Sequence, residues 1–157
     1  MKKLLLLLTL ITISSCSQKI NYSEEKEYFE ERGIILYYKG SPFSGTLIKI
    51  NQYGFKEKIL FKEGKMNGPY ETYYENGQLN EKLTFKEGVL NGPYESYYEN
   101  GQLNEKTNYK ERELNGPYES YYENGQLRDK TTYKEGRKNG PSESYYENGQ
   151  LNEKTNY

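Results

Sequence analysis

Gly92-Pro93-Tyr94-Glu95-Ser96-Tyr97-Tyr98-Glu99-Asn100-Gly101-Gln102-Leu103 is the stretch from which the fold follows. Its Asn100-Gly101 pair is the strongest short signal for a β-hairpin, because a type I′ turn needs positive φ at both central positions and Asn and Gly tolerate it best. The same stretch recurs along the chain. Asn-Gly-Pro begins at Asn67, Asn91, Asn115 and Asn139, and Tyr-Tyr-Glu-Asn-Gly-Gln-Leu begins at Tyr73, Tyr97, Tyr121 and Tyr145, each at a step of 24 residues. A fixed period of this length marks a repeat architecture in which each unit is one supersecondary element.

Folding one unit about Asn76-Gly77 pairs Glu75 with Gln78, Tyr74 with Leu79, Tyr73 with Asn80 and Glu71 with Lys82. Strand alternation then sets Tyr70, Thr72, Tyr74, Leu79, Glu81, Leu83 and Phe85 on the drier face, with Glu71, Tyr73, Glu75, Gln78, Asn80, Lys82 and Thr84 opposite. Tyr74, Tyr98, Tyr122 and Tyr146 are expected to stack along the array with their hydroxyls wet, as are Phe85, Tyr109, Tyr133 and Tyr157. A diverged fifth copy lies upstream, where Gly45, Gly54 and Phe61-Lys62-Glu63-Gly64 stand in for Gly68, Gly77 and Phe85-Lys86-Glu87-Gly88. It lacks one residue between Gly54 and Phe61. Gly33 to Tyr38, with Lys39-Gly40, reads as the second half of a still earlier unit. Arg112 stands where the other loops carry Gly64, Gly88 and Gly136, and an altered turn is expected there.

The units resemble the bacterial MORN variant, whose repeats run Gly, Tyr-Tyr, Asn-Gly, Leu, then an aromatic residue and Gly. The resemblance covers residues 33–157. It implies an all-β protein: an elongated single-layer antiparallel meander of tandem β-hairpins, each touching only its neighbours. At two strands per unit the rise is about 10 Å per copy.

The N-terminus carries different information. Met1-Lys2-Lys3 precedes an apolar run from Leu4 to Ile13, the pattern of a signal peptide over residues 1–15. The run is too short to span a hydrocarbon layer, which takes about 20 residues of helix. Ile13-Ser14-Ser15-Cys16 resembles the lipobox of bacterial lipoproteins, which makes Cys16 the acylated first residue of the mature chain. Residues 16–32 follow as a Glu-rich, solvated tether with one helical turn. Export and acylation place the protein at the cell envelope, and Ser17, which is not the Asp of retained lipoproteins, favours the outer membrane or cell surface.

Composition excludes several functions. The chain has no His, one Cys, 19 Tyr and 33% apolar residues, so His-based triads, His/Cys metal sites and an intramolecular disulfide are absent. Without residues 1–15 the acidic side chains outnumber the basic by three, and Lys and Glu alternate finely, so nucleic acid is not a partner. Every candidate acid recurs in each unit, whereas catalysis needs a constellation that occurs once. No enzyme, cofactor or metal is expected. The candidate binding surface is Tyr73, Tyr97, Tyr121 and Tyr145, rings on the polar face where folding does not require them. Its expected partner is a protein or glycan, with membrane contact through the lipid anchor and edge-to-edge pairing of copies as a further association. An antitoxin-like role and phospholipid binding are the alternatives that the resemblance suggests.

Overall fold

The computed structural model describes residues 18–157; the expected signal peptide and Cys16 lie outside the described residues. From Gly45 onward the chain is a meander. β5 (Gly45–Ile50) and β6 (Lys56–Lys62) form the first hairpin, and β7 (Lys65–Tyr73), β8 (Leu79–Lys86), β9 (Val89–Tyr97) and β10 (Leu103–Lys110) the next two. The last two combine β11 (Glu113–Leu114), β12 (Gly116–Tyr121) and β13 (Leu127–Lys134), then β14 (Arg137–Lys138), β15 (Pro141–Tyr145) and β16 (Leu151–Asn156). All belong to one open sheet in which each strand pairs with its neighbours in the chain, as the 24-residue period predicts.

Two kinds of turn alternate, and their assignment differs from the sequence expectation. The type I′ turn lies between units, where Glu63 and Gly64 take φ of 51° and 78° and Glu87 and Gly88 take 50° and 80°. At Asn76-Gly77 only the glycine has positive φ, at 85°. The asparagine serves through its side chain instead: Oδ1 accepts the Gln78 N–H at 2.9 Å and Nδ2 donates to the Glu99 carbonyl of the next unit at 3.0 Å. The hairpin therefore closes through a five-residue loop, in which the Tyr74 N–H donates to Gln78 O and the Gly77 N–H to Tyr74 O.

Register shifts with the turn. Tyr73 faces Leu79, not Asn80, and a bulge after it returns Thr72 to Glu81 and Glu71 to Lys82. The expected pairs Tyr74 with Leu79 and Glu75 with Gln78 do not form, because Tyr74, Glu75 and Gln78 lie in the loop and Leu79 pairs with Tyr73; Glu71 with Lys82 does. In the diverged copy the ladder runs from Ile50↔Lys56 to Gly45↔Phe61 without a shift. The residue missing there is thus the bulge residue.

Arg112 keeps the turn that Gly forms elsewhere. Its φ is 74°, the same as that of Gly136, so the left-handed position is retained and no altered loop appears. At Gly88 and Gly136 an added Cβ would meet nothing within 4 Å, which leaves only the intrinsic backbone cost. The backbone bond between successive turns survives too: Gly88 N–H donates to Met66 O at 2.8 Å and Arg112 N–H to Leu90 O at 2.9 Å.

Residues 18–32 are not a solvated tether. β1 (Lys19–Asn21) adds to β5 in parallel, and a helical turn, α1 (Tyr22–Glu25), follows, its first turn capped by the Asn21 side chain. β2 (Phe29–Arg32), β3 (Ile35–Tyr38) and β4 (Ser41–Pro42) form a small separate sheet. Ile20, Leu36, Phe43 and Leu47 meet in the apolar core, with Tyr22, Phe29, Tyr38 and Phe61 packed against it. The glutamates that suggest solvation occupy the outer side: Glu24, Glu27, Glu30 and Glu31 are exposed. This cap docks on the first type I′ turn, where Leu36 N–H donates to Gly64 O at 2.9 Å and Gly64 N–H to Phe43 O at 2.7 Å. A Cβ at Gly64 would collide with Ile35 and the Leu36 carbonyl, so a close approach as well as positive φ requires glycine there.

Candidate functional site

The two faces of the meander carry different chemistry. On one, cross-strand pairing sets Lys58, Glu71, Lys82, Glu95, Lys106, Glu119, Lys130, Glu143 and Lys154 in a single row. Each glutamate lies between two lysines. Ion pairs close at 2.9 Å for Lys58–Glu71 and 2.7 Å for Lys106–Glu119 and Lys154–Glu143, whereas Glu95 has no basic partner within 4.0 Å among the described residues. Tyr73, Tyr97, Tyr121 and Tyr145 stand beside it, half-buried, and their hydroxyls donate to Glu71, Glu95, Glu119 and Glu143 at 2.5–2.7 Å.

These bonds explain the protonation of the face. Burial and then the bond to Glu71 push the Tyr73 phenol up to about 12, and Tyr97 is pushed up to about 12 by burial and Glu95. The Lys106 ammonium, followed by the Tyr121 hydroxyl, holds the Glu119 carboxyl below the ordinary glutamate range. Lys56 and Lys106 lie 5.8 Å from the ring centres of Tyr73 and Tyr121. The structure thus brings the four predicted tyrosines together in one column, half-buried and with their hydroxyls already engaged.

The opposite face holds a row that sequence reasoning did not single out: Glu57, Thr72, Glu81, Ser96, Glu105, Ser120, Asp129, Ser144 and Glu153. Every second strand contributes a carboxylate and the strands between contribute Thr or Ser. Glu57 pairs with Lys49 at 3.3 Å and Asp129 with Arg128 at 3.1 Å; Glu81, Glu105 and Glu153 have no basic partner within 4.0 Å among the described residues. Burial raises the Glu105 carboxyl. The signal for this row was a Glu or Asp at the same place in each 24-residue unit, hidden because charge averaged over both faces is nearly balanced.

Edge-to-face ring pairs flank the row in three of the four close units, as Tyr70–Phe85, Tyr94–Tyr109 and Tyr118–Tyr133, with centroids 5.7–6.1 Å apart; Ser142 takes the first ring's place in the last. The expected stacking of Phe85, Tyr109, Tyr133 and Tyr157 along the array does not occur, because equivalent positions are two strands, about 9.6 Å, apart. The Tyr74 column is likewise unstacked, and three of its four hydroxyls are bonded to backbone, the exposed Tyr146 being the exception. Tyr74, Tyr98 and Tyr122 donate to the carbonyls of Tyr97, Tyr121 and Tyr145 at 2.7–2.8 Å, stapling each unit to the next.

Where the cap overhangs the carboxylate face, a groove of 580 Å³ opens between the β2–β3 hairpin and the first repeats, with Ile34, Glu57, Tyr70 and Met66 among its walls. Among the described residues no group of three or more His, Cys, Asp or Glu converges as metal ligands would. No helix of the described chain is long and apolar enough to cross a membrane.

An open, one-layer sheet of hairpins repeating side chains at a fixed step defines a tandem-repeat protein in which each unit packs on its neighbours. The chain belongs to the MORN repeat variant family, which matches residues 66–87, 90–111, 114–135 and 138–157. Repeats of this family are generally involved in protein or membrane and phospholipid binding. No relative among the curated proteins matches the chain.

Proposed function

We propose that the protein is a non-catalytic scaffold of a bacterial cell envelope, tethered by acylation of Cys16, that binds another protein or a glycan across the face bearing Tyr73, Tyr97, Tyr121 and Tyr145. The observation that carries this reading is the recurrence of one half-buried tyrosine in the same setting four times over. Aromatic rings held rigid among polar neighbours supply contact area at little entropic cost. Repetition suits an extended or repetitive partner, and a reaction centre has no use for four equal copies. The basic n-region, apolar run and Ser14-Ser15-Cys16 support the envelope address.

Replacing the four tyrosines with Ser is expected to abolish capture of the partner by cross-linking in intact cells, whereas Phe, which keeps the rings, is expected to retain most of it. Unchanged capture by the Ser variant, with the sheet intact by circular dichroism, overturns the assignment. Metabolic labelling with a radioactive fatty acid tests the anchor: the wild type is expected to incorporate label and Cys16→Ser to lose it.

A further inference from the structure

We propose that the groove under the cap docks an extended segment of a partner protein, in which an aliphatic residue has a basic residue two positions to one side and an acidic residue two positions to the other. This site is separate from the tyrosine column, which lies on the opposite face of the sheet.

The first sign is a residue that works against stability. In the turn after β10, Arg112 holds a φ of 74° where the equivalent turns carry Gly64, Gly88 and Gly136. Left-handed backbone disfavours any side chain, yet the side chain added here lines the groove. A strained backbone kept at one turn of the column points to a use for what it carries.

Charge then describes the occupant. In the groove's walls Glu57 is held by Lys49 at 3.3 Å, and Glu87 by Lys65 at 3.4 Å. What remains is Glu31 on the cap and Arg112 on the repeats, both exposed and neither with a charged partner within 4.0 Å among the described residues. An occupant with a cation toward the cap and an anion toward the repeats complements both walls.

Between these two charges the surface is apolar and uncovered. Ile34 sits in the two-residue turn of the β2–β3 hairpin, a place for glycine or polar residues, and is 81% exposed. Ile35, Met66 and Val89 are half-buried beside it. The groove's 580 Å³ falls within the range of about 300–1,000 Å³ usual for ligand sites.

The backbone of the cap selects a polypeptide. β2 is the edge of the small sheet. Leu36, opposite Glu31, donates its N–H to Gly64 O and accepts from the Phe43 N–H, both away from β2. In an antiparallel pair the facing residue then turns its own N–H and C=O outward, so Glu31 offers a donor and an acceptor at the open edge. An extended segment can bond there as an added strand, and its residues two apart enter the groove together.

Fluorescence anisotropy of the full chain with two labelled, end-capped peptides tests the proposal: Thr-Lys-Val-Leu-Val-Glu-Thr and its reverse in charge, Thr-Glu-Val-Leu-Val-Lys-Thr. One of them is expected to bind, and Arg112→Gly to bind it about tenfold more weakly while melting higher than the wild type, which separates loss of the site from loss of the fold. Changing that peptide's Glu to Gln is expected to weaken binding to the wild type by the same factor and to make no difference to Arg112→Gly, as a coupled pair requires. Ile34→Asn, at an exposed turn position, is expected to lose about tenfold as well. Failure of both peptides to bind overturns the proposal, as does unchanged affinity in either variant or additive losses from the Arg112 and Glu changes. Dodecanoate, an apolar anion without a peptide backbone, is expected not to displace the peptide; full displacement would assign the groove to a lipid and overturn the proposal too. The variant with Ser at the four column tyrosines is expected to bind the peptide normally, so the two sites stand or fall separately; loss of binding there would place the peptide on the other face.

Discussion

The buried side chains of the cap are Ile20, Leu36, Phe43 and Leu47; those of the repeats from residue 88 onward are Ser96, Thr107, Ser120 and Thr131. The same sheet is thus stabilised in two ways along its length. In the cap, apolar surface leaves water in the ordinary manner, through a run of rings in which Tyr22–Phe29, Phe29–Phe43 and Phe43–Phe61 sit 5.4–5.8 Å apart. In the repeats, small residues bring strands and rings close, and bonds from side chain to backbone join one unit to the next. An array held this way keeps both faces available, which a protein built around a core cannot do.

Six substitutions, in four tests, probe this contrast. Phe43→Ala is expected to cost about 3–5 kcal/mol, because it empties the centre of the only apolar core among the described residues. Denaturant unfolding should show the loss confined to the cap, with the repeats still protected from hydrogen exchange. In the repeats the effects are smaller. Arg112→Gly is expected to stabilise by about 1 kcal/mol, since Arg112 holds a φ of 74° that glycine adopts freely; a lower melting temperature would contradict this.

Tyr98→Phe removes the staple to the Tyr121 carbonyl and is expected to cost about 1 kcal/mol, whereas Tyr146→Phe, exposed at 54%, is expected to change nothing. Equal melting shifts for the two would show that the hydroxyl bond does not hold the units together. The smallest effect separates the faces by pH. Glu119 is held below its ordinary 4.5, chiefly by Lys106, so its stabilisation is present above that value and lost as pH falls through its lowered value. Glu105 is raised by burial, so its contribution is complete below 4.5 and lost as pH rises through its raised value. Glu119→Gln is therefore expected to destabilise at neutral pH and Glu105→Gln not to, both differences fading in acid.

Much of the fold is legible in the chain, because the 24-residue step fixes which residues lie opposite one another within a few positions. The errors are local and have physical causes. Asn76 can serve a turn either by its left-handed backbone or by its side chain, and the two give registers that differ by a bulge; composition does not choose between them. The cap was obscured because its glutamates dominate the segment, although Ile20, Tyr22 and Phe29 among them carry the apolar signal. Of the candidate site, the tyrosine column was readable from alternation alone. The carboxylate row was not, since which of its acids lack a basic neighbour depends on the strands of adjoining units.

The central claim is that each unit is held by its neighbours alone, so that the array is a surface without an interior. Excising residues 91–114, which joins Leu90 to Asn115 in phase, tests it most directly. Hydrogen exchange on the shortened chain should show a folded sheet with the protection pattern of the remaining units kept at its 24-residue step. A chain that loses protection throughout after this in-phase deletion would contradict the account.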